Sequence, residues 1–588
     1  MIHMAFSRQD GVRLCLWLTV LISSARGMDV VIGLVGTDDA LLSGGSVSNS
    51  LIEGADSCAD PATCYVSVDT LQSLLAGSDV SISVNGTISV AAVPTDGGAF
   101  TSAATTLSLS AGNSSFSTDA LKISARIDMG PLGFLVLGNN AEGGKVCVIG
   151  SDATVGGSDP ACSDSGGSNE CAGAGLVCIS AAELQLLRAS SVRLSGLGSG
   201  SQVVVNGLAS ADTNISSTLY LTAQAAGFSG TNSEQIVMRG GAVSVACALI
   251  VEASSGVTVD VTVEASGGSN NGDLLLDGDG GSLVLSTPAT GNMLTAGGKI
   301  TLRAATGGIA YAGTANLLLE AQRGITIEND MTPDLTDRAI TLNCDADSTG
   351  EGSFVVAAGV TIGSGVTTRD VTITASDIEI GSTATTIQSS VAYNMYIYLN
   401  NGQQIGLGVD VSASGGMSIS ADEAQSFSTN RLCIGDSLHG GILIGALSST
   451  NTAGVLTWCF RASSTSTGTV RFQDGSSSFQ ILDVIAYKSI TFDVPTTSGV
   501  TTTYFLGDMD LEVTGTSAGG AEGIIFTTAQ YLNVESLLTM KTSVGITAST
   551  SLYINAGAGF YLDADLTVSS SASDIVLSIN CDTDAGGA

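Results

Sequence analysis

The feature that most constrains this chain is a texture of very short β-type segments, each broken within a few residues by Gly, Asn, Asp or Ser. "VSISVNGTISV" (80–90), "GDLLLDGDGGSLVLS" (272–286), "KITLRAATGGIAY" (299–311), "RDVTITASDIEIG" (369–381) and "SLYINAGAGFYLDADLTVS" (551–569) are examples. Each alternates apolar and polar residues and then meets a turn signal. A period of two puts one side of a strand on a core and the other toward water. Helical periodicity is confined to "SVDTLQSLLAG" (67–77) and "SAAELQLLRAS" (180–190). A chain of 588 residues written this way has to assemble its core from many small units.

Those units recur at long range. "LLLEAQRGITIENDMT" (317–332) aligns without gaps on "LYINAGAGFYLDADLT" (552–567). "ITLNCDADSTGEG" (340–352) returns as "LSINCDTDAGGA" (577–588), which places Cys344 and Cys581 at equivalent corners. "ISAAELQLLR" returns as "ISADEAQSFS", so that Glu183 answers Glu423 and Gln185 answers Gln425. The super-repeat is about 235–240 residues and is built from much shorter units, the signature of a solenoid. A sandwich array would repeat near ~100 residues with regularly placed aromatics. This chain is only 5% aromatic, with two Trp. The expected fold is therefore all-β: a parallel β-helix forming an elongated rod, with coils of about 20–25 residues that each add about 4.8 Å.

Composition sharpens this picture. Hydrophobic residues make up 44% of the chain, enough for a core, while 75 Gly and few aromatics keep that core thin and built from small branched residues. A net charge of −35 argues against nucleic acid or an anionic membrane surface as a partner. Arg8 and Arg13 precede the apolar run "LCLWLTVLI" (14–22), with small Ala25 and Gly27 spaced for cleavage, so 1–27 reads as a signal peptide. No later segment reaches 18 uncharged apolar residues, and no membrane span is expected. The remainder divides into a Cys-containing β-rich region (28–250) and the repeats proper (251–588), both expected to be secreted to the extracellular space or cell surface. Cysteine usage fits export. Cys58 and Cys64 flank Pro61 and suit a small disulfide loop, while Cys147, Cys162, Cys171 and Cys178 could form two more bridges. Cys247, Cys344, Cys433, Cys459 and Cys581 are scattered, without the close pairs of a zinc site. Asn85, Asn113 and Asn214 open N-glycosylation sequons.

One stretch resembles a known family. "TTRDVTITASDIEIGSTATTI…NNGQQIGLGVDVSASGGMSISADEAQSFSTNRLCIGDSLHGGILIGAL" carries a strand, an "IGLG" stretch, a "GGMSIS" step with "DE" after it, and an "L-IGD" strand pair. In this it is similar to the repeats of filamentous-haemagglutinin-type surface proteins, over roughly 250–588. The resemblance implies a right-handed parallel β-helix in an exported adhesin or fibre.

Candidate chemistry is sparse. The chain has two His, His3 in the signal and His439 in a turn, which leaves no triad to build, and no catalytic residue is assigned. Glu328/Asp330 and Asp563/Asp565 are same-face carboxylate pairs, but they occupy equivalent positions in two copies, which suits structure better than a single catalytic centre. Asp345 and Asp347, with Asp582 and Asp584 in the second copy and Asp277/Asp279 in "LDGDGG", are the candidates for Ca²⁺. "DADSTGEG" begins like a calcium loop without the distal Glu that would close it, and Asp with Gly also simply builds turns. No other cofactor is expected. Tyr396 and Tyr398 share a strand face and could stack on sugar rings; Tyr393 lies nearby. The expected function is a structural or adhesive solenoid without catalysis, whose partners are extracellular glycans, cell-surface or wall components, or further copies in a fibre. The rival is a polysaccharide-active β-helix enzyme using paired carboxylates. Because the second phrase stops at "DAGGA", the chain reads as part of a longer repetitive protein.

Overall fold

The computed structural model describes short strands at 29–32, 63–66, 80–84, 88–90, 106–111, 121–123, 127–128, 134–139 and 145–149 and, with brief interruptions, residues 176–581. The signal segment, the helix expected over 67–77, His439, Cys58, the three sequon asparagines, and Asp582 with Asp584 lie outside the described residues.

The strands stack as a parallel β-helix with three faces. In each turn the chain lays one short strand on each face and returns to the first, one strand further along the axis. Ala248–Ala253, Gly256–Val259 and Val263–Ala265 are one such set. They pair in parallel with Leu274–Asp277, Ser282–Thr287 and Leu294–Ala296 of the next. On face one a single residue position can be followed from coil to coil: Leu135, Val192, Leu219, Leu249, Leu274, Ile300, Ile325, Phe354 and Ile378 lie in register. From Leu249 onward the numbers in that column set a coil at 24 to 29 residues, somewhat longer than the sequence spacing suggests. Every member of the column is buried. Like aliphatic residues thus sit on like across strands about 4.8 Å apart, which is how small branched side chains close a core that few aromatics could fill. The face-one sheet passes residue 250 without a break, because Thr218–Ala223 pairs with Ala248–Ala253 and that strand with Leu274–Asp277.

Faces two and three share hydrogen bonds at two long strands that run round a corner. Gln235–Val245 pairs with face two through Ile236–Met238 and with face three through Val243–Val245. Phe427–Ile434 does the same, meeting Ile387 at one end and Asn394–Ile397 at the other. The ladder therefore closes on itself without making a barrel, since the strands succeed one another along the axis. Among the described residues face one has one departure from chain order. Gln404–Leu407 pairs with both Gly441–Ile444 and Met417–Ile419, and the Ser418 N–H donates to the Asp377 carboxylate at 3.0 Å. The later strand thus sits on the earlier side.

Corners are made by short, specific devices. Ser180 and Glu183 form a reciprocal cap on the one-turn helix Ala181–Leu184: the Glu183 N–H donates to Ser180 Oγ at 3.3 Å and the Ser180 N–H to Glu183 Oε2 at 2.8 Å. Ser420 and Glu423 repeat the arrangement on Ala421–Ala424, at 3.2 and 2.7 Å. The recurring "IS…E" is thus a capping box, which satisfies helix N–H groups that would otherwise be orphaned. Elsewhere a buried Ala ends one strand and a glycine with positive φ begins the next three residues later, as in Ala321 to Gly324 (φ +120°) and Ala556 to Gly559 (φ +134°).

The super-repeat does not keep its place on the faces. Leu317–Ala321 belongs to face three and Gly324–Ile327 to face one. In the second copy Leu552–Ala556 pairs within the stack Thr501–Phe505, Gln530–Val534 and Leu577–Asn580, whereas Gly559–Asp563 continues face three. Strand and turn order repeats, shifted by one face. Cys344 and Cys581 accordingly occupy different surroundings, the first buried and the second exposed.

Candidate functional site

Strand alternation on face three sends every second side chain outward. With Val243 and Val245 turned into the core, Ser244 faces out, and the residues in register with it form a row: Ser244, Glu264, Thr295, Glu320, Asn343, Thr374 and Tyr398. All seven are half-buried. Over the first part of this row the surface dips into a cleft of about 390 Å³ lined by Glu264, Thr295, Glu320, Gln322 and Asn343 among others. The Ser244 hydroxyl donates to Glu264 Oε2 at 3.1 Å. Glu264 and Glu320 stand two coils apart with Thr295 between them, about 9.6 Å from strand to strand.

The row ends on aromatic rings. Tyr396 and Tyr398 present stacked faces, with centroids 6.1 Å apart and planes at 21°, as their spacing on one strand predicts. Asn394 Nδ2 donates to the Tyr396 hydroxyl at 3.2 Å, and Arg369 lies over the ring of Tyr393 at 5.6 Å. Burial pushes the Tyr398 hydroxyl up to about 12, so it is a neutral donor at physiological pH.

Immediately beyond the tyrosines the outward positions carry a cluster that sequence reasoning missed. Tyr396 is in register with Cys433, Cys433 with Cys459, and Cys459 with Asp483. Both sulfurs are buried although they point away from the core, whose side is taken by Leu432, Ile434, Trp458 and Phe460. Arg431 Nη2 reaches Cys459 Sγ at 3.5 Å and pairs with the Asp483 carboxylate. Arg461 adds a second positive charge beside both sulfurs. The Cys433 thiol hydrogen-bonds to Cys459, which pulls Cys459 below the ordinary thiol range, with help from Arg431 and against burial, and pushes Cys433 up. Burial holds the Asp483 carboxyl above its ordinary range against the pull of the two arginines. The missed signal is the interval between the cysteines: 433 to 459 is one coil, so residues that look scattered are neighbours in space.

The acidic candidates go elsewhere. Asp345 Oδ1 and Oδ2 accept the Gly350 N–H at 3.1 and 3.2 Å, while Asp347 Oδ1 accepts the Thr349 N–H at 3.3 Å and its hydroxyl at 2.9 Å. Asn400 Nδ2 donates to the Asp345 carbonyl at 2.5 Å. These carboxylates are occupied in closing their own turn, whose Ser348 has φ +57°. Among the described residues no three His, Cys, Asp or Glu side chains are grouped to hold a metal ion. Glu328 and Asp330 are separated in role: Arg303 bridges Glu328 to Asp277 at 2.7 and 3.2 Å, and Asp330 Oδ1 accepts the Thr361 N–H at 2.7 Å. Cys147 is disulfide-bonded, and the residue opposite it in register is Cys178.

Burial raises Asp345 above its ordinary range, the Gly350 N–H opposing it. The fold therefore prefers the protonated acid, and stability contributed here grows as pH falls through the folded value and shrinks as pH rises. Asp345→Asn keeps an acceptor for Gly350 without the buried charge. The variant should melt higher than the parent at pH 7, with the gap closing near about pH 4 where the parent's carboxyl is protonated. Thermal unfolding at the two pH values measures this. A variant that melts lower at both would show that the charge itself stabilises the turn.

Comparison with protein-family models, with curated proteins and with solved structures gave no match. Among the described residues no helix is long and apolar enough to cross a membrane.

Proposed function

We propose that this protein is a secreted or cell-surface structural and adhesive solenoid of the filamentous-haemagglutinin type that binds an extended glycan along face three. The observation that carries this reading is the outward row from Glu264 to Tyr398: hydroxyls, an amide and carboxylates at one-coil intervals, opening in a cleft and ending on stacked tyrosines. A polymer with regular hydroxyls meets regular partners on such a surface, and an aromatic face suits the apolar side of a sugar ring. The net charge of −35 selects neutral over anionic chains. The signal segment and the cysteine usage support a location outside the cell.

The cleft gives a specific reason to keep the enzymatic reading as second. Inverting glycosidases hold two carboxyls about 6.5–9.5 Å apart, and Glu264 and Glu320 line the cleft from strands about 9.6 Å apart. A glycan array with and without Ca²⁺, followed by Tyr398→Ala and Glu320→Gln on the best ligand, separates the two. An adhesive face should lose about tenfold in affinity with Tyr398→Ala, keep most of it with Glu320→Gln, and release no new reducing ends. Reducing-end release abolished by Glu320→Gln would make the protein a hydrolase. No binding to any neutral polysaccharide would defeat the adhesive assignment.

A further inference from the structure

Free cysteines facing one another across adjacent coils are unusual in a protein that already closes a disulfide elsewhere. Cys147 is bridged, and its register partner is Cys178. Cys433 and Cys459 stand in the same register relation on Phe427–Ile434 and Val455–Ala462, yet both are thiols. Adjacent parallel strands bring Cα atoms to about 4.8 Å, inside the ~4.4–6.8 Å that a disulfide requires. The other buried thiols, Cys247 and Cys344, have no cysteine opposite: Cys344 follows Asn343, which faces Glu320 and Thr374, and Cys247 precedes Ala248, which faces Thr218.

We infer that Cys433 and Cys459 form a thiol–disulfide exchange site, in which Cys459 attacks and Cys433 resolves, and that a low-molecular-weight disulfide such as oxidised glutathione closes it into a bond joining two consecutive coils. The Cys459 thiolate, held beside Arg431, attacks one sulfur of the small disulfide. The S–S bond breaks, one glutathione leaves as thiolate and takes up a proton, and Cys459 carries the other as a mixed disulfide. Cys433 then gives up its proton and attacks Cys459 Sγ, expelling the second glutathione as a thiol. The two protein thiols are oxidised, the small disulfide is reduced to two thiols, and no further oxidant is needed. Cys459 is the attacking sulfur because Arg431 touches it and the Cys433 thiol donates to it, both of which favour its thiolate over that of Cys433. Arg431, one-third exposed, lies against Cys459, and a swing of this long arm would admit the oxidant. The bond would cross-brace the stack just after the point where Gln404–Leu407 and Met417–Ile419 exchange order on face one, and on the same face as the tyrosine row.

The full chain is equilibrated with oxidised glutathione at neutral pH, quenched with acid, alkylated and digested for mass spectrometry. The expected product is one peptide pair linked through Cys433 and Cys459 and two hydrogens lighter than the separate thiols, together with a higher denaturant midpoint than the reduced protein. Exposed Cys581 should carry only a mixed disulfide. Cys433→Ser should trap glutathione on Cys459, whereas Cys459→Ser should leave Cys433 unmodified. Arg431→Gln should slow the first step several-fold at pH 7 and move the pH midpoint of Cys459 alkylation upward from that of the parent. Recovery of Cys433 and Cys459 as separately alkylated thiols, with Cys147 still bridged, would overturn the proposal whatever the variants do. Glutathione trapped on Cys433 in Cys459→Ser, or an alkylation midpoint unmoved by Arg431→Gln, would overturn the assignment of Cys459 as the attacking thiol.

Discussion

Replacing Phe492 with Ala should lower the unfolding free energy by about 3–5 kcal/mol, the range for a large aromatic removed from a packed core. Phe472, Phe492 and Phe526 occupy one position on three successive coils of face one. Their rings stack, at 4.7 Å and 5° for the first pair and 5.0 Å and 14° for the second. Phe492 is the middle ring, 1% exposed, so truncation leaves a cavity with an aromatic wall on either side. In a solenoid each coil is held only by its neighbours. The gap therefore weakens both interfaces of one coil, with no distant part of the core to relax into it. Phe492→Leu retains most of the buried area and forfeits the ring contacts, about 0.5–1.5 kcal/mol for each pair. Denaturant unfolding of the parent and both variants supplies the comparison. An Ala variant within about 0.5 kcal/mol of the parent would mean that these rings do not stack.

The second large effect belongs to a corner. Gly324 has φ +120°, a region that L side chains rarely enter, and a Cβ built there would stand 2.5 Å from the Ser353 carbonyl oxygen of the next coil. Gly324→Ala thus meets backbone strain, on the order of 1–3 kcal/mol, together with a collision between main chains that cannot be relieved by rotating a side chain. Gly559, its counterpart in the super-repeat, provides the control. It has φ +134°, but its nearest neighbour would be Leu537 Cδ1 at 3.7 Å, ordinary contact. Gly559→Ala should show the strain alone, and the excess cost at Gly324 measures the close approach of coils. Equal losses at the two sites would remove that approach from the account.

The same two glycines show what kind of information was legible beforehand. The alignment pairs them by strand and turn, and the structure agrees: each opens a strand three residues after a buried Ala. The paired Ser–Glu phrase likewise became two copies of one capping box, and Tyr396 with Tyr398 share a face as alternation requires. The candidate site was legible only in part. Asp345 and Asp347 stood out as a motif and proved to be the fastening of a turn, because a carboxylate beside Gly and Ser finds backbone N–H donors before any external ligand. Cys433, Cys459, Glu264 and Glu320 carried no local signature, since each is an isolated residue in an ordinary strand.

What the sequence determined by itself is therefore the local grammar: parallel β-solenoid architecture, strands of period two, corners of Gly, Asp and capped single turns, and a thin aliphatic core. These follow from dihedral preferences and from burying alternate residues, which act within a few positions along the chain. What only the tertiary structure decided is which strand lies on which face, and hence which outward residues meet. That depends on the accumulated length of every preceding coil. Coil length here is uneven, 25 residues from Leu249 to Leu274 but 20 from Val470 to Ile490 and 34 from Ile490 to Ile524, and strands exchange order, as Gln404–Leu407 with Met417–Ile419 and Lys145–Ile149 with Leu176–Ser180 do. A repeat of constant spelling can therefore arrive one face out of phase, and two unremarkable cysteines can arrive side by side.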